Sequence, residues 1–322
     1  HHQESPAPMQ LRSVNVGRPK PVDYGGKVFQ TAVFKDPVQD RVQVTKHVLE
    51  GDGQADLVSH GGEFMAVYAY PFEHYDHWAT ELDRQDFVPG QFGENLTIEG
   101  LLEDEVYIGD VFKINDVFLQ VTQPRYPCYK LDIRMGLAGF NRTFHDSARV
   151  GFYFRVLEVG DIGAGDKIER ISTASQGLSV ADVYRLMYTD TEDLVGARTG
   201  AALESLSPEW RDKFAKRLEM EGEPTRADVS GKEKEDPDTL VVTFEDTGQV
   251  VAWNPKYENL LEFAEAQGLD VAFGCREGNC HTCACELMEG EVEYVQEPEL
   301  APDEGDVLIC CAVPKTDVVI DL

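Results

Sequence analysis

The chain has 322 residues, of which 42% are hydrophobic and 27% are charged, as is typical of a folded protein with two or three domains. Its net charge of −30 argues against nucleic-acid binding, and no apolar run approaches the roughly 18 residues that would span a membrane. The first residues also lack the apolar core of a secretory signal, so a cytoplasmic location without membrane contact is expected.

Residues 11–171 are predicted to form a mainly-β domain. Short apolar strands are separated there by Gly, Asp and Pro, with examples at 62–71, 105–115, 117–124 and 151–160. Frequent tight turns favour a β-barrel over a parallel α/β sheet. One helix is expected at 72–83, and the histidines His74 and His77 are expected on its surface.

The single cysteine of this domain, Cys128, lies in the segment QPRYPCYK, between the cations Arg125 and Lys130. Neighbouring positive charge favours a thiolate, which is both a nucleophile and a soft metal ligand. From these residues alone, a reactive or metal-binding Cys128 and a cysteine packed in the core are both open interpretations.

The next part of the chain changes character. Residues 178–220 hold three helical segments, the first of which begins with Ser179 and Asp182 in a capping-box pattern. Residues 221–238 are polar, charged and poor in apolar side chains, which predicts a linker. Residues 239–322 then begin with two alternating strands and a helix, and they form a separate predicted domain.

Six of the seven cysteines lie between positions 275 and 311. Cys275, Cys280 and Cys283 have x4 and x2 spacing, and a fourth cysteine follows at Cys310 or Cys311. Four thiolates hold two irons bridged by two sulfides, and clustered cysteines without a secretory signal indicate metal before disulfides. The sequence therefore predicts an iron–sulfur site.

Residues 239–322 resemble the plant-type 2Fe–2S ferredoxin family in their strand–helix order, cysteine spacing and LICCAVP tail. The resemblance implies an α+β β-grasp fold. It also implies Cys310 as the fourth ligand rather than Cys311, because the last ligand of the family precedes a proline by four positions. One departure is His281, where the family usually has glycine; a solvent-facing side chain is expected there, and a partner contact or an effect on the reduction potential are the alternatives.

Residues 11–220 resemble the MOSC family, the C-terminal domain type of molybdenum cofactor sulfurases, in its YiiM-like branch. The matching segments are VNVG (14–17), GDGQADLVSHGG (51–62), AVYAYPFEHYDHW (66–78), FGENLT (92–97), QPRYPCYK (123–130) and RVGFYFRVLEVGDIGAGD (149–166). The helices at 178–220 resemble the three-helix domain that follows MOSC in that branch. The resemblance implies a multidomain protein with a mainly-β MOSC barrel and a small three-helix bundle.

In that family, the cysteine that matches Cys128 coordinates the molybdenum of a pyranopterin cofactor. Its enzymes reduce N-hydroxylated compounds, such as hydroxylaminopurines and hydroxylamines, to amines. The resemblance therefore implies a molybdenum-dependent oxidoreductase in which Cys128 is catalytic. Because the cofactor is an anion, its contacts are expected from cations and amides. These candidate contacts are Arg125, Lys130, His60, Asn95 and Arg149.

The 2Fe–2S cluster is expected to pass electrons to the molybdenum. The chain shows no GxGxxG dinucleotide fingerprint, so a separate NAD(P)H-dependent flavin reductase is the expected electron donor. Residues 239–322 hold three basic and 18 acidic residues, which suits docking to a basic partner or, alternatively, solubility. If the ferredoxin domain must swing, a rigid linker at 221–238 is expected to slow turnover.

Two other functions remain open at this point. Cys128 suits a sulfur carrier that holds a persulfide for metal–sulfur cluster or cofactor assembly. Alternatively, the chain is an electron-transfer module without molybdenum.

Overall fold

The computed structural model describes residues 9–24, 27–53, 62–220, 239–269, 271, 273, 276 and 278–322. The chain divides into two compact units, His1–Leu218 and Glu219–Leu322, which are treated separately below. Within the described ranges, no helix combines the length and the apolar character that crossing a bilayer requires. Three sequence predictions lie outside the described residues, namely those for His60, Cys275 and the linker at 221–238.

The first unit is rich in short strands. Its strands are β1 (Gln10–Val16), β2 (Lys20–Tyr24), β3 (Lys27–Thr31), β4 (Asp36–Pro37), β5 (Val42–Val44), β6 (Val67–Pro71), β7 (Leu96–Glu99), β8 (Val111–Ile114), β9 (Val117–Pro124), β10 (Phe152–Glu158), β11 (Gly160–Ile162) and β12 (Ile168–Ser172). The helices are α1 (Glu73–Glu81), α2 (Tyr129–Met135), α3 (Phe140–Asp146), α4 (Val180–Tyr188), α5 (Leu194–Ala202) and α6 (Pro208–Met220).

Eight strands form one sheet in the order β12-β8-β9-β10-β6-β7-β1-β4. Neighbouring strands are antiparallel except for the parallel pair β6 and β7. The sheet curves until β1 meets β12: the Leu11 amide donates to the Asp166 carbonyl at 2.9 Å, and the Ile168 amide donates to the Met9 carbonyl at 3.1 Å. The predicted mainly-β domain is confirmed, and these contacts give the sheet the curvature of a barrel.

Strand β10 shows why the sheet has one apolar face and one mixed face. Phe152, Phe154 and Val156 alternate along it and are buried in the core. Tyr153 points to the opposite face, where it is directly paired with Tyr68 of β6. That second face carries the candidate site.

Gly151 allows β10 to approach β6 closely. Its φ is +69°, and a Cβ at this position would lie 2.4 Å from the carbonyl oxygen of Ala69. The Gly151 amide donates to Glu103 at 2.8 Å, and its carbonyl accepts the backbone amide of Arg125 at 3.2 Å. This glycine therefore fixes the backbone from which Arg125 enters the site.

The expected helices are present, although their ends differ from the predicted ones. The predicted surface position of His74 was wrong. The capping box at the start of α4 is confirmed, since Ser179 and Asp182 exchange side-chain and backbone hydrogen bonds. His74 of α1 is buried rather than on the surface, and its Nε2 lies 2.8 Å from Glu103. The amphipathic pattern of α1 did not reveal that this position faces a carboxylate of another loop.

The second unit contains seven strands and one α-helix in its described part. They are β13 (Val241–Phe244), β14 (Gln249–Ala252), α7 (Leu260–Ala266), β15 (Ala284–Glu289), β16 (Val292–Tyr294), β17 (Asp306–Leu308), β18 (Ala312–Pro314) and β19 (Val318–Ile320).

Five of these strands form a mixed sheet in the order β14-β13-β19-β15-β17, in which β13 and β19 are parallel. Helix α7 is capped by Asn259, whose side chain accepts the Glu262 amide at 2.9 Å. Its Phe263 packs 6.1 Å from the ring of Phe244 in the sheet. The expected α+β fold is confirmed, and the cysteine loop follows α7.

The close approach at Gly151 gives a stability prediction. We expect Gly151→Ala to cost about 2 kcal/mol more than Gly165→Ala, because overlap with a packed backbone is added to the positive-φ strain that both substitutions share. Gly165 is the matched control, since its φ is +92° and no atom lies within 4 Å of its added Cβ. Urea unfolding of the full chain measures both changes, and equal losses would contradict the packing argument.

Candidate functional site

A cleft of about 120 Å³ opens in the first unit. Arg125, Cys128 and Lys130 line it from the segment that joins β9 to α2. Asn95 and Lys35 are also among its lining residues. The structure thus brings together four of the predicted site residues, and it adds Lys35, which the sequence analysis did not select.

Cys128 lies at the turn from strand to helix. It directly precedes α2 and has an extended backbone, with φ −132° and ψ 170°. Its carbonyl accepts the Leu131 amide at 2.9 Å, which closes the first turn of the helix. The residue is 6% exposed and borders the cleft, so its thiol is shielded from bulk water but lies beside the space that a ligand can enter.

Arg125 is a buried cation with an unusual set of partners. Its guanidinium donates to the Tyr68 hydroxyl at 3.1 Å and to the Phe92 carbonyl at 2.6 Å, and it lies 4.7 Å from the Tyr68 ring centre. Among the described residues, no carboxylate forms an ion pair with it. Burial lowers the pKa of Arg125, but interactions with Tyr68, Tyr153 and Cys128 outweigh burial and raise it. The cleft therefore keeps a permanent positive charge beside Cys128.

Lys35 supplies a second cation, which is tied into a polar network. Its ammonium lies 2.5 Å from Asp52, and Asp52 also accepts the Asn95 amide at 2.8 Å. The Asn95 oxygen accepts the Tyr68 backbone amide at 3.1 Å. Burial lowers the pKa of Lys35, and the Asp52 carboxylate opposes this shift. Both the oxygen and the nitrogen of the Asn95 amide are therefore already hydrogen-bonded within the protein.

The loop FGENLT is held by a buried carboxylate. Glu94 accepts the backbone amides of Gly90 and Phe92 at 2.9 and 3.0 Å, and it also accepts the hydroxyls of Tyr75 and Thr97. Burial raises the pKa of Glu94. These bonds fix the loop whose Phe92 carbonyl holds the guanidinium of Arg125.

Two further polar side chains lie on the same face of the sheet. The Tyr153 ring packs 5.1 Å from Tyr68 and lines the cleft, and its hydroxyl makes no hydrogen bond to the described residues. Gln123 of β9 is the direct cross-strand partner of Tyr153. It is 1% exposed, and neither atom of its amide finds a partner in the part of the chain that the structure describes. An unsatisfied buried amide is costly, but Gln123 is not among the described residues that line the cleft.

One predicted cofactor contact, Arg149, is not brought to the cleft. It is not among the described residues that line the cleft, and its guanidinium donates to the Ser147 carbonyl at 3.4 Å. His60 lies outside the described residues. Arg149 was expected to supply charge to the cofactor, and in the structure its backbone carbonyl accepts the Tyr70 hydroxyl.

The second unit carries the predicted iron ligands. Cys280, Cys283 and Cys310 are buried, while Cys275 lies outside the described residues. Within the described part of the unit, no three ligating side chains converge at metal-binding distances. The backbone amide of Gly278 donates to the Cys310 sulfur at 3.3 Å, as amide donors do toward cluster sulfurs.

The adjacent cysteines at the fourth position differ in their hydrogen bonds. The Cys310 sulfur accepts the thiols of Cys283 and Cys311 as well as the Gly278 amide, and these bonds lower its pKa to about 4. The interaction with Cys310 raises the pKa of both Cys311 and Cys283, and the Cys311 thiol lies 3.4 Å from the Leu308 carbonyl. Because Cys283 shares this shift, the pKa values do not select the fourth ligand, and Cys310 stays a prediction.

The expected solvent-facing position of His281 was wrong. Its side chain is half-buried, and its Nε2 lies 3.0 Å from the carbonyl oxygen of Leu300. Its φ is +61°, in the region that glycine favours. Burial lowers the pKa of this imidazole.

Family profiles match three parts of the chain. Residues 56–169 match the MOSC domain, residues 178–220 match the YiiM-like 3-alpha helix domain, and residues 242–315 match the 2Fe-2S iron-sulfur cluster binding domain. These matches lie within the predicted domain ranges, whose boundaries stay predictions.

Three individual proteins illustrate the similarity. The chain is 40% identical to the uncharacterized protein YflK of Bacillus subtilis over 205 residues, which cover 64% of this chain and 92% of that protein. The crystal structure of YiiM from Geobacillus stearothermophilus aligns with a TM-score of 0.56 and 34% identity, covering 66% of this chain and all of that one. The ferredoxin reductase component of a 3-ketosteroid-9-alpha-monooxygenase from Mycobacterium tuberculosis is 37% identical over 108 residues, which are 31% of this chain and 29% of that protein.

Arg125 has no carboxylate partner among the described residues, so we predict that its replacement weakens ligand binding more than it lowers the stability of the protein. We expect Arg125→Met to change the stability of the cofactor-free protein by less than about 1 kcal/mol, because the lost hydrogen bonds are offset by the relief of a desolvated cation. The same variant should bind phosphate and other anions more weakly. Urea unfolding and anion titration measure the two effects.

Arg84→Met is the control substitution, since Arg84 forms a two-point ion pair with Asp86 on the surface. It should leave anion binding unchanged. If Arg125→Met instead costs several kcal/mol and leaves anion binding intact, the guanidinium has a purely structural role.

Proposed function

Because this chain belongs to the MOSC-domain family of the YiiM type and carries a 2Fe–2S domain, we propose that it is a molybdenum-cofactor-dependent reductase of N-hydroxylated compounds. The pairing of a MOSC domain with a ferredoxin-type domain indicates an electron-transfer or reductase-type role. The finer assignment to molybdenum and to hydroxylamine-type substrates is our proposal. It rests above all on one observation, the buried guanidinium of Arg125 beside Cys128, which has no carboxylate partner among the residues that the structure describes.

The cleft residues fit an anionic cofactor that carries a soft metal. Cys128 offers a thiolate as a molybdenum ligand. Arg125 and Lys130 offer N–H donors to phosphate and pterin oxygens, and Lys35 adds positive charge. Asn95 supports the wall of the cleft, since its amide is engaged with Asp52 and Tyr68.

Two electrons and two protons convert an N-hydroxylated compound into an amine and water. When bound, the molybdenum cofactor supplies the oxygen acceptance and the two-electron chemistry. The chain itself binds and orients the substrate against the aromatic wall of Tyr68 and Tyr153, and it excludes bulk water. The Tyr153 hydroxyl lines the cleft and carries its proton at neutral pH, so it can donate to the departing oxygen. Burial raises its pKa, which favours a hydrogen bond over complete release of the proton.

The electrons are proposed to come from a separate NAD(P)H-dependent flavin reductase, through the 2Fe–2S domain. The ligands proposed for the cluster are Cys275, Cys280, Cys283 and Cys310. The domain resembles part of a ferredoxin reductase component, although the chain spans under a third of that protein's length. The 18 acidic residues of 239–322 suit a basic docking surface on the reductase.

Metal analysis tests the proposal most broadly. Protein from a molybdenum-competent host should contain stoichiometric molybdenum together with two irons per chain, and Cys128→Ser should lose the molybdenum and keep the iron. Cys285→Ser is the matched control, because Cys285 is a half-buried thiol whose pKa is raised to about 12 by burial, and it should keep both metals. A persulfide on Cys128 without molybdenum would indicate the sulfur carrier instead, and iron alone would indicate an electron-transfer module.

The role of Tyr153 gives a kinetic prediction. We expect Tyr153→Phe to retain molybdenum but to lower kcat for reduction of a hydroxylamine by about 10²-fold, the usual contribution of a positioned proton donor. KM should change little, because the ring that packs on Tyr68 remains. Unchanged kcat under conditions in which the chemical step limits turnover would remove Tyr153 from the mechanism.

A further inference from the structure

We propose that His281 clamps residues 298–300 onto the iron-ligand loop and thereby limits the access of solvent to the 2Fe–2S cluster. This inference rests on the proposed cluster ligands, since His281 lies between Cys280 and Cys283. It gives a positioning role to His281, which stands where the ferredoxin family usually has glycine.

The backbone of His281 has a left-handed conformation. Its φ of +61° lies in a region that side chains with a Cβ adopt at some cost, which is smaller for Asn and His than for most residues, and glycine would adopt it without strain. Such strained positions persist only where the surrounding contacts hold them, and they concentrate at functional sites. The imidazole must therefore make a contact that offsets the strain.

The hydrogen bond to Leu300 is one such contact. Nε2–H of His281 donates to the Leu300 carbonyl at 3.0 Å, and Leu300 is itself buried. Two residues earlier, Pro298 packs against Gly278 so closely that a Cβ on the glycine would lie 3.3 Å from the Pro298 Cβ. The segment 298–300 is thus attached to the ligand loop at two points, one on each side of Cys280.

The opposite end of the ligand loop is anchored differently. Arg276 forms an ion pair with Glu265 of α7 and lies 4.0 Å from the ring centre of Phe273. Its φ is also positive, at +60°. Because this anchor does not involve residues 298–300, removal of the His281 bond should loosen that segment at Leu300, while the Pro298 contact and the attachment of the loop to α7 remain.

The consequence for the cluster follows from its charge. Reduction adds a negative charge, and water stabilises the more highly charged state, so solvent exposure is one of the factors that set the reduction potential. Loosening of residues 298–300 should let water and small chelators reach the sulfurs. We therefore expect faster loss of iron and a more positive reduction potential when the His281 bond is removed.

Three substitutions in the full-length holoprotein separate the clamp from backbone strain. His281→Gly removes both the bond and the strain. His281→Asn tolerates positive φ but is too short to reach Leu300. His281→Gln places an amide N–H where the imidazole Nε2–H lies, so it should retain the bond. The release of iron to a chelator, followed by visible absorbance, and the reduction potential of the cluster are measured for each.

The clamp predicts that His281→Gln behaves as the wild type. It predicts that His281→Gly and His281→Asn lose iron about fivefold faster, the factor for one ordinary hydrogen bond, with potentials shifted to more positive values. If strain alone matters, the glycine variant instead keeps its iron at least as long as the wild type, and the clamp is refuted. It is also refuted if the glutamine and glycine variants behave alike. Failure of the ligand assignment is distinguishable, because the wild-type protein would then lack the 2Fe–2S spectrum.

Discussion

The site of the first unit is organised around the buried positive charge of Arg125, which has no carboxylate partner in the described part of the chain. A guanidinium removed from water is costly unless anions or hydrogen-bond acceptors compensate it. In this cleft, Arg125 contacts a tyrosine hydroxyl, a backbone carbonyl and an aromatic ring, and Cys128 lines the same cleft. Such an arrangement is only partly compensated within the described chain, and an anionic ligand that bears a thiolate-binding metal would complete it.

The surrounding structure holds this charge in place. Gly151 sets the backbone of Arg125, while Glu94 fixes the loop that offers the Phe92 carbonyl. Asp52 joins Lys35 and Asn95 into one polar network. These residues come from distant parts of the chain, and the curved sheet brings them to one face. The iron–sulfur unit follows a similar logic, in which positive-φ residues and amide donors shape a short loop around sulfurs.

The sequence predicted best what is encoded locally. The strands, the capping box at Ser179 and the cysteine spacing are short-range patterns, and Arg125, Cys128 and Lys130 form one contiguous motif. Lys35 and Tyr153 were missed because only sheet register and loop packing bring them to the cleft. His74 was assigned to the surface because helical periodicity does not report a carboxylate on another loop. The position of His281 depended on a backbone dihedral angle and a carbonyl 19 residues away, which no local pattern reveals.

The central claim is that the cleft beside Cys128 holds molybdenum through sulfur. X-ray absorption at the molybdenum edge, on protein purified from a molybdenum-competent host, tests this claim directly. The account predicts a molybdenum signal with sulfur neighbours, as expected for a dithiolene and a cysteine thiolate. Absence of molybdenum, or molybdenum surrounded only by oxygen as in adsorbed molybdate, would contradict it.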